Sequence, residues 1–545
     1  MEVPGLRREF VAFSIIASIG TAALIAGSSA MPDEIPRWFA VITTVVVAAI
    51  IVMGTIDFFQ TKHTIRANFP FLGRFRYWFE MIRPEIYQYF IESNSEGVPF
   101  NREARSVVYQ RSKKQLSTLP FGTQKNVYNI GYEWINHSLT PKHLDFKDLR
   151  VTIGGPDCEK PYSASLLNIS AMSFGALSNR TVLALNGGAR LGSFAHNTGE
   201  GSISKWHQEP GGDLIWQIGT GYFGCRKLED GTFSEALFAQ RSKLDAVKMI
   251  EIKLSQGAKP GHGGILPAAK LSPEIAKIRG VPMGKDVLSP PAHSAFSDPK
   301  GLLEFVKLLR ELSGGKPVGF KLCVGKRREF LAICKAMVET GIKPDYIAVD
   351  GGEGGTGAAP LEFSNYMGCP LNEGLVFVHN ALVGFDLRKD IKIICSGKIT
   401  TAFDIISKIA IGADLCYSAR AFMLAVGCIQ AVKCNTNTCP VGITTQNPRL
   451  VQGFNVEHKT KRAFQYHRET LETVTELIGA MGMHSPSELR PWHLMRRIGP
   501  FEIKHYGELF AYLKPGDLLK DELPIGWARA VKAASADSFE HISAS

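Results

Sequence analysis

The sequence predicts an α/β protein built around a (β/α)₈ TIM barrel, preceded by an N-terminal transmembrane helical hairpin. Three observations support this prediction. Short apolar runs alternate with helical patterns over about 250 residues, between positions 163 and 431. Polar and glycine residues gather at the carboxyl ends of these runs, where a barrel carries its active face. Two stretches without charge, 10–32 and 38–56, precede the alternating region. A doubly wound sheet is the alternative for that region.

The hairpin is predicted within residues 1–60. A spanning helix needs about 20 apolar residues, and both charge-free stretches reach that length. A turn-like loop at 31–37 separates them, and basic residues from Lys62 to Arg83 follow. By the positive-inside rule both ends face the cytoplasm, so we expect a two-span cell-membrane protein with a cytoplasmic catalytic body. A cleaved signal peptide, cut near 28–30, is the alternative, but it leaves the second stretch unexplained.

The regions that flank the barrel show no chemistry of their own. Residues 61–160 are aromatic and basic at first and then polar, and we expect a collar that packs on the main domain. The barrel is expected at 161–450. Residues 451–545 are predicted to form a helical extension, because apolar residues recur at helical spacing between His458 and Met483.

Six barrel strands can be predicted from short apolar runs. A helix through Leu183 and Leu185 is expected after the first strand, and helices at 326–341 and 400–412 separate later ones. The predicted strands are 165–171, 248–253, 318–322, 346–349, 392–395 and 414–417.

A glycine-rich segment follows the fourth of these strands. Residues 352–357 match the dinucleotide pattern GxGxxG, yet Pro360 blocks the helix that such a turn must open. We interpret the segment as a strand-to-helix loop whose backbone can approach a flat or anionic ligand. The alternative is a flexible surface loop.

The next turn, Ser396-Gly397-Lys398, is followed by Thr400 and Thr401 at the start of a predicted helix. Backbone N–H groups at a helix N-terminus, with a cation beside them, favour phosphate binding. An ordinary helix cap has the same residues, and it remains the alternative.

Three cysteines, Cys428, Cys434 and Cys439, have the spacing C-x₅-C-x₄-C. Zinc requires a fourth ligand, and neither a CxxC nor a histidine pair lies nearby. Three thiolates in a reducing compartment suit an iron–sulfur cluster that lacks one iron corner. The other seven cysteines are expected to be buried thiols.

Composition excludes several classes. Hydrophobic residues at 45% and charged residues at 21% argue against disorder. The formal net charge of +11 is dispersed rather than arranged in a basic stripe, so no nucleic acid partner is expected. Ten cysteines in 545 residues are too few for a disulfide scaffold.

Five segments resemble the FMN-binding synthase domain of bacterial and plant glutamate synthases, over about residues 160–450. They are SAMSFGALS at 170–178, HNTGEG at 196–201, EIKLSQGAKPG at 251–261, GGTGAAP at 354–360 and CIQAVKCNTNTCPV at 428–441. The resemblance implies a barrel with FMN and a [3Fe–4S] cluster. It also implies conversion of 2-oxoglutarate and ammonia, through 2-iminoglutarate, to glutamate.

The resemblance assigns roles to individual residues. Lys259 and Arg279 would bind the two carboxylates of 2-oxoglutarate, and Glu200 would act in proton transfer to the imine. A surface ion pair for Arg279 and a helix cap for Glu200 are the alternatives. The cluster is assigned to Cys428, Cys434 and Cys439, and the flavin with its phosphate to Met172, Ser173, Lys321, Gly354, Gly355, Gly397 and Lys398.

The sequence departs from the family pattern in three respects. The first cysteine is Cys158, so we expect no glutamine hydrolysis by an N-terminal nucleophile in this chain. The long glycine-repeat β-helix of the family is not found. His262 and Ile265 stand where the family usually has Glu and Gln. Ile265 cannot form a hydrogen bond, so we expect either weaker 2-oxoglutarate binding or another keto acid.

The expected electron route runs from the cluster through FMN to the imine of a 2-oxo acid. No NAD(P)H-binding fold is evident, so a reductase subunit, a ferredoxin or a membrane donor is implied. Two rival functions remain open. One is an FMN oxidoreductase that acts on another amino or N-methylamino acid, and the other is a membrane-anchored flavin and iron–sulfur electron-transfer subunit.

Overall fold

The computed structural model describes residues 5–28, 34–115, 118–145 and 149–540. These residues divide into two compact units, Met1–Arg102 and Glu103–Ser545. Positions 29–33 lie outside the described residues, so residues 31–33 of the predicted loop at 31–37 and residues 29–30 of the alternative cleavage site at 28–30 are not described.

The first unit is helical. Its helices are α1 (Gly5–Ser28), α2 (Glu34–Phe59), α3 (Thr64–Asn68) and α4 (Gly73–Ile86), and α4 continues into a π-helical turn, Tyr87–Ile91. The ring of Phe10, near the start of α1, lies against Gly54, near the end of α2, so these helices pack antiparallel. Both contain a segment long and apolar enough to cross a membrane, Glu9–Gly27 and Trp38–Phe59.

A buried ionic cluster joins the last turn of α2 to the short helices after it. Asp57 is fully buried and accepts hydrogen bonds from the guanidinium groups of Arg66 in α3 and Arg74 in α4. The backbone N–H of Phe71 donates to the same carboxylate at 3.3 Å. Asp57 of α2 therefore links α3 and α4 through two ion pairs. Removing its carboxylate would leave two guanidinium groups without their partner.

The second unit contains a closed barrel of eight parallel strands, which confirms the barrel and excludes the doubly wound sheet. The order around the barrel is β4–β5–β6–β7–β10–β11–β12–β13, and β13 pairs with β4 to close it. The strands of this unit are β1 (Glu133–Ile135), β2 (Arg150–Ile153), β3 (Tyr162–Ser165), β4 (Leu167–Ile169), β5 (His196–Asn197), β6 (Leu214–Ile218), β7 (Val247–Lys253), β8 (Ile265–Leu266), β9 (Val287–Leu288), β10 (Val318–Leu322), β11 (Tyr346–Asp350), β12 (Lys392–Ser396), β13 (Leu415–Ser418), β14 (Leu494–Arg497) and β15 (Ile503–His505).

The remaining helices include those that follow the barrel strands and cover the outside of the barrel. They are α5 (Arg102–Ser112), α6 (Asn179–Gly192), α7 (Lys205–Gln208), α8 (Glu235–Ser242), α9 (Pro273–Arg279), α10 (Pro299–Leu312), α11 (Arg327–Thr340), α12 (Leu361–Tyr366), α13 (Leu371–Gly384), α14 (Ala402–Ala410), α15 (Arg420–Ala425), α16 (Pro448–Val451), α17 (Val456–Ala480), α18 (Tyr506–Leu509) and α19 (Ile525–Lys532). The helices predicted through Leu183, at 326–341, at 400–412 and from His458 are confirmed as α6, α11, α14 and α17.

All six predicted strands are present, with small shifts at their ends. The first, predicted at 165–171, is shorter, because Leu166 separates β3 from β4. Two barrel strands, β5 and β6, were not predicted. β5 has only two residues, His196 and Asn197, both polar, and so short a strand carries too little periodicity to be recognised without its neighbours. β6, Leu214–Ile218, is as long as three of the predicted strands and was simply missed.

A small sheet joins the two regions that flank the barrel. β1 pairs with β14, and β14 pairs with β15, all antiparallel. Arg496 of β14 donates a hydrogen bond of 3.0 Å to the carboxylate of Glu133 in β1. The predicted collar at 61–160 is therefore divided between the two units, and the extension contains strands as well as the helix α17.

Candidate active site

The residues assigned to the flavin lie at one end of the barrel. Because all eight strands are parallel, their carboxyl ends meet at the same mouth. The assigned residues follow or end different strands: Met172 and Ser173 after β4, Lys321 in β10, Gly354 and Gly355 after β11, and Gly397 and Lys398 after β12.

Lys321 is a buried ammonium group placed between two carboxylates. Its Nζ lies 4.0 Å from Oδ2 of Asp350, in the neighbouring strand β11. That Oδ2 also accepts a 2.8 Å hydrogen bond from the N–H of Gly257, and the Ser396 hydroxyl donates to Oδ1. Burial raises the pKa of Glu251, and the charge of Lys321 opposes this shift. The positive charge of Lys321 is thus stabilised by contact with Asp350 and by electrostatic interaction with Glu251.

The glycine-rich segment is a loop between β11 and α12, as the sequence analysis concluded. α12 begins only at Leu361, directly after Pro360, so residues 351–360 do not open a dinucleotide-binding helix. A Cβ at Gly355 would lie 2.7 Å from Cδ of Arg420, and Arg420 donates a hydrogen bond of 2.6 Å to the carbonyl of Glu353. Gly355 is required because a guanidinium group lies directly on the backbone.

The predicted phosphate site differs from expectation in one respect. The N–H groups of Thr400 and Thr401 are already satisfied, because Oδ2 of Asp404 accepts both, at 2.9 and 2.8 Å. The N-terminus of α14 is therefore closed by its own carboxylate, as in the cap alternative. Any anion at this turn has to use Lys398 and Arg420 instead.

Lys398 and Arg420 are close enough for their charges to interact. Burial and the charge of Arg420 lower the pKa of Lys398, and Glu353 opposes that shift. Lys398 also has a left-handed backbone, with φ 52°. Two adjacent cations beside a glycine-rich loop suit the phosphate of a bound cofactor.

Glu200 lies in a pocket walled by glycines and forms an ion pair. Its Oε2 is 3.1 Å from Nζ of Lys253. A Cβ at Gly264 would lie 2.0 Å from its Oε1, and one at Gly219 would lie 2.7 Å from its Cβ. Burial raises the pKa of Glu200, but Lys253 and Arg279 outweigh burial and the net pKa is lowered. Glu200 is therefore ionised at neutral pH, and its carboxylate can take up a proton and pass it on.

Arg279 is buried beside this pocket, with an exposed fraction of 4%. Its Nη2 donates weakly to the Ser173 hydroxyl at 3.4 Å and to the Phe174 carbonyl at 3.3 Å. Its guanidinium lies 5.1 Å from the ring centre of Phe223, and its Nε is buried without a hydrogen-bond partner among the described residues. Burial lowers its pKa to about 10, and Glu200 opposes the shift. The surface ion pair is excluded, and the free N–H suits a carboxylate.

Lys259 is the second buried cation assigned to the substrate, and its exposed fraction is 2%. Burial and the charge of Lys253 lower its pKa to about 8, and Glu200 opposes this shift. Within the described residues no carboxylate lies at ion-pair distance from its Nζ. A buried ammonium group without a paired acid is costly, and an anionic ligand would offset that cost.

The two substituted positions lie near these cations in the chain. Nδ1 of His262 is 3.0 Å from the carbonyl of Gly263, and its ring meets Phe363 edge-on with centres 5.4 Å apart. Ile265 is half-buried in β8, where it pairs with Leu288 of β9. Neither side chain reproduces the Glu and Gln of the family pattern.

The three cysteines of the predicted cluster lie in the loop after α15. In the portion of the chain described, no three His, Cys, Asp or Glu side chains are arranged around a single metal ion. The three thiols nevertheless interact electrostatically, so they lie near one another. Burial raises the pKa of Cys439, but hydrogen bonds from Thr444 and the backbone N–H groups of Val441 and Ile443 outweigh it, and its pKa is lowered. These N–H groups stabilise a thiolate.

Burial raises the pKa of both Cys428 and Cys434, so these two thiols are protonated without a metal. Lys270 is buried next to Cys434 and Cys439, and its charge opposes the increase at Cys434. Three thiols in one loop, N–H donors at one sulfur and a buried ammonium group form a donor set that fits an iron–sulfur cluster.

Sequence reasoning missed three residues of this site: Lys253, Arg420 and Lys270. Lys253 could have been recognised, because a lysine at the carboxyl end of a barrel strand lies at the mouth. Arg420 follows Ser418 and Ala419 at the end of the last strand, which is also an informative position. Lys270 lies in a short 3₁₀ turn, and no sequence pattern distinguishes it.

The fold and the site define the class: an α/β-barrel protein with buried cations at its mouth and a thiol-bearing loop beside them. A family model described as "Conserved region in glutamate synthase" matches residues 124–484. The chain belongs to this glutamate synthase family.

Two relatives illustrate the range of similarity. The glutamate synthase large subunit-like protein YerD of Bacillus subtilis is 37% identical over 480 residues, which cover 80% of this chain and 90% of that protein. The archaeal-type glutamate synthase [NADPH] of Thermotoga neapolitana is 34% identical over 323 residues, which cover 59% of this chain and 60% of that protein. The match thus spans less than two thirds of the second relative.

Solved structures with a similar fold include a mandelate oxidase mutant with bound (S)-mandelic acid. It is 15% identical to this chain, with a TM-score of 0.40, and the match covers 77% of this chain and 94% of that one.

Proposed function

We propose that this protein is an FMN and iron–sulfur dependent glutamate synthase that reduces 2-iminoglutarate, formed from 2-oxoglutarate and ammonia, to L-glutamate. The observation that carries the proposal is the pair of buried cations, Lys259 and Arg279, next to the ionised Glu200. A ligand with two carboxylates matches two cations whose charges are not fully paired by the residues that the structure describes. Membership of the glutamate synthase family supports the same substrate.

The mouth of the barrel would hold FMN. The flat ring would lie along Met172, Ser173 and the glycine-rich loop, and the phosphate would bind Lys398 and Arg420. Lys321 would place its positive charge near the ring. When bound, FMN supplies hydride transfer and the cluster supplies electrons one at a time.

The substrate would be oriented by charges of this chain. Arg279 offers a planar fork to one carboxylate, and Lys259 offers a point charge to the other. Glu200 is held ionised by Lys253, so it would orient the nitrogen end of the substrate and relay the proton that the nitrogen gains when the imine is reduced. These residues are buried, so the site excludes water from the imine, which water would otherwise hydrolyse.

The electron donor is proposed to be a separate protein. Relatives are named for different donors: the Thermotoga protein carries NADPH in its name, and a relative from Antithamnion is a ferredoxin-dependent glutamate synthase. The match covers 44% of this chain and only 15% of the Antithamnion protein. A reductase subunit or a ferredoxin would deliver electrons to the loop that bears the three cysteines.

We further propose that α1 and α2 anchor the protein in the cell membrane as two spans, with the catalytic body in the cytoplasm. Support comes from the antiparallel packing of the two helices and from their exposed apolar side chains, such as Ile16 and Phe39. Apolar side chains exposed along two long helices require a nonpolar solvent.

A spectroscopic experiment tests the proposed chemistry. The purified full-length protein is reduced anaerobically, and the flavin absorbance is followed after 2-oxoglutarate and ammonium are added. Prompt reoxidation with formation of glutamate is the expected result. A flavin that stays reduced, in protein that contains FMN and iron, would contradict the proposal.

A second candidate function is favoured by His262 and Ile265. These side chains change the hydrogen-bonding potential near the substrate, so an FMN oxidoreductase that acts on another amino or N-methylamino acid is the alternative. Reoxidation of the reduced flavin by another 2-oxo acid with ammonium or methylamine, but not by 2-oxoglutarate, would identify it. An electron-transfer subunit would respond to none of these substrates.

A further inference from the structure

Lys270 is one of the most deeply buried cations of the protein, and the proposed reaction does not use it directly. Its exposed fraction is 3%. Its Nζ donates one hydrogen bond of 2.8 Å to the carbonyl of Cys434 and another of 3.0 Å to the carbonyl of Ala176. Both acceptors are neutral, so neither cancels the charge of the ammonium group.

The charge of Lys270 lacks a carboxylate partner. In the described part of the chain, no Asp or Glu lies within ion-pair distance of its Nζ, and its electrostatic interactions are with Cys434 and Cys439. An isolated ion in a protein interior is strongly unfavourable. The cation becomes compensated only when the neighbouring sulfurs are thiolates, which is their state as ligands of a metal cluster.

Lys270 also connects two functional loops, the cluster loop (residues 428–446) and the flavin loop (residues 170–178). Cys434 belongs to the first and Ala176 to the second. The same two loops are joined by Gln446, whose side-chain amide donates to the carbonyl of Leu177 at 2.8 Å, and by the Ser178 hydroxyl, which donates to the carbonyl of Gly442 at 2.7 Å.

The glycine-rich loop reaches the same point, since a Cβ at Gly357 would lie 3.5 Å from the carbonyl of Cys434. Lys270 therefore stands where the loop of the cluster ligands meets two loops that would contact FMN. At such a position a fixed positive charge acts on the cluster more strongly than a charge in solvent, because burial removes dielectric screening.

We propose that Lys270 is a positioning residue that raises the reduction potential of the cluster held by Cys428, Cys434 and Cys439 and keeps the cluster loop against the flavin loop. This inference rests on the proposed function, because it requires the cluster. Each added electron makes an iron–sulfur cluster more negative, and a nearby positive charge favours the reduced form. Lys270 thereby sets how readily the cluster accepts electrons from the donor protein.

The test is a potentiometric titration of the purified full-length protein, with the cluster followed by EPR and the flavin by absorbance. In Lys270→Gln the midpoint of the cluster is expected to fall enough to change its oxidised-to-reduced ratio at least tenfold, which is about 59 mV for one electron. In Lys270→Arg, which keeps the charge, the ratio should change less than threefold. The flavin midpoint should move less than the cluster midpoint in both variants.

Lys433→Gln is the matched control. Lys433 lies in the cluster loop beside Cys434 but is exposed to solvent, so its removal should leave the cluster midpoint unchanged. An unchanged midpoint in Lys270→Gln, with iron and labile sulfide intact, would overturn the proposal. An equal shift in Lys433→Gln would overturn it as well, because burial would then make no difference.

Cluster content gives a second readout. Iron lost in Lys270→Gln but retained in Lys270→Arg would support the requirement for charge. Iron lost from both variants would overturn it, since shape rather than charge would then decide. Absence of iron from the wild-type protein would instead contradict the proposed function and would be visible before any variant is made.

Discussion

At the scale of single residues, the mouth of the barrel is dominated by buried positive charge. Lys253, Lys259, Arg279 and Lys321 are all buried there. Glu200 pairs with Lys253, and Asp350 pairs with Lys321. Among the described residues, no carboxylate lies at ion-pair distance from Lys259 or Arg279. The two that remain are the pair assigned to the substrate carboxylates, so their substitution should affect binding more than folding.

Arg279→Lys should lower kcat/KM for 2-oxoglutarate by roughly 10- to 100-fold. Lysine keeps the charge but loses the planar fork, and a hydrogen bond to a charged group contributes about 1.5–3 kcal/mol. Steady-state kinetics with saturating ammonium measures the effect. An electron carrier without substrate chemistry would be insensitive to this substitution, provided that iron and FMN contents match the wild type.

The lowered pKa of Lys259 predicts a pH dependence of substrate binding. Below pH 8 the ammonium form binds the carboxylate, and above pH 8 the charge is lost, so the KM for 2-oxoglutarate should rise with pH. The free energy of unfolding should increase over the same pH range, although substrate binding weakens. Between pH 8 and the ordinary pKa of 10.5 the unfolded chain binds more protons, so stability rises as the buried charge is removed.

Lys259→Arg provides the control for this pH profile. Arginine stays protonated over the whole range, so the rise of KM above pH 8 should disappear in that variant. The same rise in both proteins would assign the titration to another group.

Ile265→Gln tests the departure from the family pattern. If 2-oxoglutarate is the substrate, a restored hydrogen bond of about 1 kcal/mol should lower its KM roughly fivefold. Ile265→Leu, which restores no hydrogen bond, should leave KM within twofold. A higher KM in the glutamine variant would indicate that Ile265 is adapted to another keto acid.

At the scale of elements, the contact between α6 and α17 illustrates how closely the helices cover the barrel. A Cβ at Gly188 of α6 would lie 2.6 Å from Cβ of Ala463 in α17 and 3.2 Å from the carbonyl of Thr460. The absence of a side chain at Gly188 therefore lets the two helix backbones approach each other. This close packing explains why the amphipathic pattern from His458 was a reliable guide to α17.

Gly188→Ala should destabilise the protein by about 1–3 kcal/mol, because the extra methyl group overfills a packed contact. Gly374→Ala in α13 is the matched control. Its added Cβ would meet Val324 Cγ2 at 3.5 Å, an ordinary contact, and replacing a helical glycine by alanine contributes roughly 0.5–1 kcal/mol. Urea denaturation in detergent should therefore shift the two midpoints in opposite directions. Destabilisation of similar size in both variants would contradict this account.

Sequence patterns predicted most of the barrel but only part of the site. Apolar runs such as 318–322 predict their strands from local sequence alone. The two-residue β5 is a strand only because its neighbours pair with it. The same limit applies to chemistry. Motif positions such as Arg279 were identified, but the closing of the α14 terminus by Asp404 and the approach of Arg420 to Gly355 depend on contacts between distant segments.

At the scale of the whole molecule, two units with different surfaces are joined in one chain. The first unit exposes apolar side chains on α1, α2, α4 and the π-helical turn after α4, including Phe39, Trp78 and Phe90. The second unit buries its apolar residues inside and around a closed barrel. This division is consistent with the membrane anchor proposed above.

The proposed orientation can be measured on the full-length protein in membranes. Inside-out vesicles supplied with ammonium and a chemical reductant should convert externally added 2-oxoglutarate without detergent, because both ends of the hairpin are proposed to face the cytoplasm. Right-side-out vesicles should become active only after permeabilisation. Activity in the supernatant after an alkaline carbonate wash would contradict the anchoring.

The pairing of β1 with β14 carries a consequence for how the protein is made. β1 lies near the start of the second unit, and its partner is translated only after every barrel strand. Contacts so distant in sequence form late and slowly. The nascent chain would hold β1 without its partner strand until β14 leaves the ribosome, so chaperone protection during that interval would govern yield.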